Sequence, residues 1–110
     1  MATELAPILT ALADPTRQRV VQLLRERPRR AGELAAAAGT PAPTMSRHLR
    51  VLLEAGIVAD ERLPEDARAR LFWLRTESIA PLRDWLDELQ AASDEQLASF
   101  KRHVDSRSAT

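Results

Sequence analysis

Two glycines, Gly39 and Gly56, bracket a stretch of helical hydrophobic period, and directly after the second one the period becomes that of a strand. Within the bracket Met45, Leu49, Leu52 and Leu53 fall on one side of a helix, while Thr44, Ser46, Arg47 and Arg50 fall on the other. A helix that only fills a core gains nothing from such a cluster of hydrogen-bond donors on its outer side. Glycine is the usual left-handed terminator of a helix, so Gly39 ends a short preceding helix over about 31–38. The next helix starts within a few residues, at Thr40-Pro41, with Thr40 expected as its N-cap. Pro43 is tolerated there because first-turn amides have no partner within the helix. Two helices joined by so short a turn form a helix-turn-helix over about 31–55.

The flanking segments complete the order of elements. Leu5, Ile8, Leu9 and Leu12 predict an amphipathic first helix over about 3–13. Asp14-Pro15 then starts a second helix, with Asp14 as cap and Pro15 at the first helical position, and Pro28 ends it. Its apolar stripe is Val20, Val21, Leu23 and Leu24. After Gly56, IVADERL (57–63) and ARLFWLR (69–75) are rich in strand formers, with PEDA (64–67) as the turn. Together they predict a two-stranded wing over about 57–75. A last helix runs over about 78–104, capped by Ser78, with Ile79, Leu82, Leu86 and Leu89 spaced as a heptad-like seam. Ser93 and Gln96 resemble a capping box, which predicts a break and restart at Ser93, and the tail RSAT is expected to fray. The sum is one α+β domain over 1–110, mainly helical: a winged helix-turn-helix.

Composition bounds what such a domain can do. A chain of 110 residues buries a smaller fraction of its surface than a larger domain does, so a second copy would add stability. The formal net charge is zero, but it is unevenly spread. Residues 15–50 carry eight arginines against Glu26 and Glu33, whereas residues 76–110 carry seven acidic residues against four basic ones. A basic centre with an acidic end fits one face meeting phosphate and another meeting something else. The absence of cysteine excludes disulfides and thiolate metal sites. No apolar run approaches the ~18 residues of a membrane span, and the N-terminus lacks the basic region of a signal peptide, so no membrane partner is expected and the cytoplasm is the expected location. No paired carboxylates, glycine-rich loop or Ser/His/Asp arrangement points to an enzyme, and no motif points to a cofactor.

The stretches LADPTRQRVVQLL (12–24), GELAAAAG (32–39), PTMSRHLRVLLEAGIV (43–58) and FWLR (72–75) resemble the ArsR family of bacterial winged-helix repressors, over about residues 5 to 90. The resemblance implies a homodimeric repressor that occupies an inverted-repeat operator. It implies a dimer interface built from the first and last helices, here Leu5, Ile8, Leu9, Leu12, Leu82, Trp85, Leu86 and Leu89. It also implies that the helix after Gly39 enters the major groove. Founding members release DNA on binding metal, one site using cysteines in the third helix, where this chain has Ala35, Ala36 and Ala37 after Glu33-Leu34. The histidine-based site on the last helix fails as well: His103 has Ala92 eleven positions before it and Ser106 three after it. No metal is therefore expected at either site, and a small organic effector, a partner protein or no effector all stay open.

The expected DNA-binding residues of the recognition helix are Pro43, Thr44, Ser46, Arg47, His48 and Arg50. Arg47 has the fork that suits guanine O6 and N7, and Arg50, a turn on, suits backbone phosphate. Relatives often carry Ser and Gln where Pro41 and Ala42 stand, so more of the base reading falls on Arg47. His48 invites a metal assignment, but with no second ligand beside it a structural or phosphate-contacting role is favoured. Arg17, Arg19, Arg29, Arg30 and Thr40 are candidate phosphate contacts, as are Arg68 and Arg70 in the wing. Glu65 and Asp66 at the wing tip would repel phosphate, so Arg62, Arg68 and Arg70 are equally well explained by pairing with nearby carboxylates. Phe72, Trp73, Trp85 and Phe100 are expected to pack in cores rather than line a ligand pocket. The rival to a DNA-binding role is a winged-helix protein-interaction module, in which Arg47 and Arg50 would be dispensable.

Overall fold

The computed structural model describes residues 2–108, with the side chains of residues 2–4 and of Ala67 excepted. The elements run α1 (Ala2–Leu12), α2 (Pro15–Glu26), β1 (Arg29–Arg30), α3 (Ala31–Ala38), α4 (Ala42–Glu54), β2 (Val58–Leu63), β3 (Asp66–Leu74), a 3₁₀ turn (Thr76–Ile79) and α5 (Ala80–Ser108). This is the expected winged helix-turn-helix, with β2 and β3 as the antiparallel wing hairpin. The last two residues of the tail expected to fray, Ala109 and Thr110, lie outside the described residues.

α2 starts where a cap is available: Asp14 accepts from the amides of Thr16 (2.8 Å) and Arg17 (3.1 Å), and Pro15 follows it. α3 and α4 end by the same device. The Thr40 amide donates to Ala35 O (2.9 Å) and the Gly39 amide to Ala36 O, with Gly39 at φ 61°. The Ile57 amide donates to Leu52 O (3.0 Å) and the Gly56 amide to Leu53 O, with Gly56 at φ 76°. Both are Schellman closures, and both need a residue that takes a positive φ without strain. Thr40 is therefore spent on closing α3, and its hydroxyl donates to Ala38 O (3.2 Å). The N-cap of α4 is Pro41 rather than Thr40, with no side-chain cap bond. The first bond of α4 runs from the Met45 amide to Pro41 O (2.9 Å).

The core gathers one stripe from each of the first four helices: Ile8 and Ala11 from α1, Val20, Leu23 and Leu24 from α2, Leu34 and Ala35 from α3, and Met45, Leu49 and Leu52 from α4. Ile57, Val58 and Phe72 close it from the sheet. Leu34 and Leu52 are completely buried.

Three further expectations are corrected. The wing hairpin gains a third strand, because Arg29 pairs with Phe72 and Arg30 with Leu71, giving the order β1-β3-β2. Two residues ahead of a helix carry no periodicity from which such a strand can be read. The break at Ser93 is absent: α5 is one helix of 29 residues. Asp94, beside Ser93, instead bonds along the helix, accepting from Gln90 Nε2 (2.9 Å). Ser78 does not cap α5 but lies within the 3₁₀ turn, whose end leads into Ala80.

α5 also sets the outline. The radius of gyration is 20.2 Å, against roughly 13 Å for a compact chain of this length, because the longest dimension reaches 76 Å. The helix projects away from the domain, and none of its residues is buried.

Candidate nucleic-acid interface

α4 presents its donors because its other side is anchored. Met45, Leu49 and Leu52 are buried, which turns Pro43, Ser46, Arg47 and Arg50 to solvent and leaves Thr44 half-buried. Arg47 NH2 lies 3.4 Å from Thr44 Oγ1, one turn earlier on the same face. The fork of Arg47 is thus held along the N-terminal part of the helix, where the base edges of a groove would lie.

His48 sits at the border between this face and the core, with 17% of its side chain exposed. Its Nδ1 lies 3.1 Å from Arg17 NH1 and 3.9 Å from Asp14 Oδ1. An arginine N–H donates only, so Nδ1 accepts in this contact and the ring proton resides on Nε2. Arg17 Nε donates to Ala11 O (2.6 Å) and NH2 to Thr10 O (3.3 Å), while Gln18 Nε2 donates to Leu12 O (2.8 Å). Side chains of α2 thereby satisfy the last carbonyls of α1, where a positive charge is also favoured by the helix dipole. The two backbone amides at its oxygen, that of Arg17 foremost, hold the Asp14 carboxyl below the usual range, with smaller help from the Arg17 charge.

This geometry changes the reading of Arg17. Expected as a phosphate contact, it spends its guanidinium on two backbone carbonyls and on His48. Arg29 is likewise committed, donating to Leu23 O (3.3 Å) and Glu26 (3.0 Å) with its side chain nearly buried. Arg30 remains exposed. Its amide donates to Glu33 Oε1 (3.3 Å), and its guanidinium approaches Glu65 of the wing at 4.0 Å. The Glu33 carboxyl is held below its ordinary value by that amide first and by Arg27 second. Arg19 is exposed on α2.

In the wing, Leu63 pairs with Asp66 across a tight Pro64-Glu65 turn, and the register shifts between Arg62 and Leu63. Arg70 meets Asp60 at 2.7 Å, although the angle is too poor for a hydrogen bond to that buried oxygen. The Arg68 amide donates to Asp66 Oδ1, and the Arg68 side chain is exposed. An open groove of about 450 Å³ separates α4 from the sheet, and Ser46, Arg50 and Arg70 stand along it together with Glu54. Sequence spacing alone does not reveal that Arg50 and Arg70 line one groove, nor the link of His48 to the α1–α2 corner, because both bring together residues from distant segments.

The residues expected at a dimer interface divide. Ile8 is only 2% exposed and belongs to the core, since the turn of α1 that carries it packs inward. Leu5, Leu12 and Leu82 are half-buried, and the latter two pack against the core. Leu9, Trp85, Leu86 and Leu89 are exposed. Of the four aromatic side chains only Phe72 is buried; Trp73 is half-buried, and Trp85 and Phe100 lie on the open side of α5.

A protein-family model described as a helix-turn-helix domain matches residues 12–61, from the end of α1 to the wing. The HTH-type transcriptional regulator Rv2034 of Mycobacterium tuberculosis is 35% identical over 96 residues, covering 87% of this chain and 84% of that protein. A crystallised ArsR family transcriptional regulator superposes with a TM-score of 0.77 at 28% identity, covering 86% of this chain and 94% of the other. The chain belongs to the ArsR family of winged helix-turn-helix regulators. Within the family, the HTH-type transcriptional repressor SmtB of M. tuberculosis is 42% identical over 64 residues, 58% of this chain, and the match spans 47% of that repressor's length. A solution structure described as the homodimeric winged helix-turn-helix DNA-binding domain of Mb0332 from Mycobacterium bovis aligns with a TM-score of 0.64 at 26% identity, over 87% of this chain and 83% of that one.

Proposed function

We propose that this ArsR-family protein is a cytoplasmic, homodimeric repressor that binds an inverted-repeat operator in double-stranded DNA. The observation that carries this reading is the outer face of α4: Thr44, Ser46, Arg47 and Arg50 stand out from a helix anchored by Met45, Leu49 and Leu52. The second helix of such a motif lies in the major groove and meets base edges with its N-terminal residues. Arg47 reads a guanine; Arg50, with Arg70 across the groove, and Arg30 hold phosphates; Arg17 and His48 position α4. Pro43 sets the close approach at the start of the helix, and Arg68 reaches phosphate beyond the acidic tip. The names of relatives as repressors, and the homodimeric DNA-binding neighbour, support the same reading. Repression acts by occupancy of a promoter, without catalysis or cofactor. Alanines in the third helix and single histidines elsewhere leave the family's metal sites without ligands, so control does not pass through them.

The test is selection of genomic fragments by the purified protein at two salt concentrations, read by sequencing. An enriched inverted repeat, with affinity falling steeply as salt rises, is expected. Recovery of no common sequence would sink the proposal and leave a protein-interaction module.

A further inference from the structure

Six aliphatic side chains surround a space that none of them fills. Leu12 ends α1, Val21 lies on α2, Ile57 follows α4, Leu74 ends β3, Ile79 ends the 3₁₀ turn and Leu82 stands in the first turn of α5. Between them is a part-open cavity of about 130 Å³. Its wall is almost wholly apolar, and no aromatic residue lines it. Arg75 and Thr76 stand at the rim, both exposed, and the Arg75 guanidinium is engaged by Glu77 at 3.3 Å.

The chemistry of the wall selects the occupant. Protein interiors leave few voids larger than a water molecule, because atoms that face a void lose their dispersion partners. Water is a poor filling here, since each buried water needs about two to four polar partners and the wall offers almost none. A charged molecule would give up its hydration without a partner in return. Carbon is what these walls favour. An apolar cavity of roughly 150 Å³ takes up benzene, so this smaller one suits a molecule of about six or seven carbon atoms.

We infer that this cavity binds a small uncharged apolar molecule the size of one aromatic ring, and that its occupant controls DNA binding. The binding site stands by itself, whereas the control rests on the DNA-binding reading above. The walls explain how control would pass. Ile57 belongs both to the cavity and to the end of α4: its amide donates to Leu52 O (3.0 Å) in the closure of that helix. Its carbonyl accepts from the Arg75 amide (2.9 Å), which ties the same residue to the segment leading into α5. Leu82 and Ile79 form the wall on the α5 side. An occupant that wedges these walls apart moves α5 against the body that carries α4.

Uptake is tested first without DNA. In calorimetry of the purified chain, toluene is expected to bind with a dissociation constant on the order of 0.1–1 mM and a negative heat-capacity change, and benzoate not to bind. Ile79→Trp, which fills the cavity, should abolish uptake. Ile79→Ala, which enlarges it, should keep toluene and bind propylbenzene at least threefold more tightly than the native chain does. If Ile79→Trp fails to fold, Ile79→Ala still carries the test. Saturating toluene is then expected to shift the affinity of the native protein for its selected DNA by at least threefold. No uptake by the native chain overturns the site, and so does uptake that both variants leave unchanged. Toluene bound by the dilute monomer but excluded from the dimer also overturns it, by giving the space to a side chain of the second copy. Uptake without any change in DNA affinity overturns the control. A chain that takes up toluene yet selects no operator sinks the DNA-binding reading, and the control with it, while the site stands.

Discussion

Arg17 NH1 lies 3.1 Å from His48 Nδ1, so the helix that faces the groove is tied to the corner between α1 and α2. The two residues are 31 positions apart, and the bond forms only when the domain is assembled. Removing Arg17 also takes its partner from the carbonyl of Ala11, while that of Thr10 keeps the amide of Ala13. Arg17→Ala is expected to cost about 1–3 kcal/mol, the range for hydrogen bonds to charged groups, and to lower the melting temperature by several degrees. In DNA binding its effect should fall equally on specific and random sequences. An unchanged melting temperature with a loss confined to DNA would return Arg17 to the phosphate contacts.

The carboxylate beside this pair sets a pH dependence. Asp14 is held below the ordinary carboxyl value by the amides of Arg17 and Thr16, so its folded-state pKa lies under its unfolded one. Its contribution is therefore full above about pH 4 and is lost as pH falls through the lower, folded value. Asp14→Asn is expected to melt below the native protein at pH 7, with the gap closing in acid. Thermal denaturation across pH 2–7 measures it; a gap that widens in acid would contradict the assignment.

Arg47 and Arg50 are expected to differ in kind. Arg47→Ala should lower affinity for the operator by roughly 1–3 kcal/mol and relax selection at one base pair. Arg50→Ala should weaken all sequences alike and reduce the steepness of the salt dependence by about one ion. Titrations of operator and scrambled DNA at several salt concentrations separate the two. Equal losses on both DNAs for both variants would refute the division.

Gly39 and Gly56 close the two helices of the motif at positive φ, and the space where a Cβ would sit at Gly39 is open. Gly39→Ala is therefore expected to cost only the backbone strain, about 1–2 kcal/mol, with no steric addition. Gly39→Asn should cost less, because asparagine tolerates that conformation. Chemical denaturation ranks the three; equal stability would mean that the turn relaxes to a negative φ.

Much of this molecule is legible in its sequence because local chemistry decides it. Gly39 and Gly56 mark ends that only glycine makes comfortably, Asp14-Pro15 marks a start, and Met45, Leu49 and Leu52 orient α4. What escapes reading depends on distant partners. β1 exists because Phe72 and Leu71 offer an edge to Arg29 and Arg30. Arg17 and Arg29 look like free cations until the carbonyls of neighbouring helix ends claim them. Ser93 looks like a cap because polar residues follow it, yet helix continues through it. Ile8 and Leu9 share one helical stripe, and only packing sends the first to the core and leaves the second outside.

The sheet order β1-β3-β2 bears on how the protein coexists with its own copies at high concentration. β2 is the outer strand of the hairpin, and its exposed residues are Glu61 and Arg62. β1 covers β3 only at Leu71 and Phe72, so the rest of that edge runs past Asp66, Arg68 and Arg70. Open strands are templates for fibre growth unless charge makes a neighbouring strand unwelcome. The residues that punctuate the wing with charges of both signs thus also guard it against edge-to-edge aggregation.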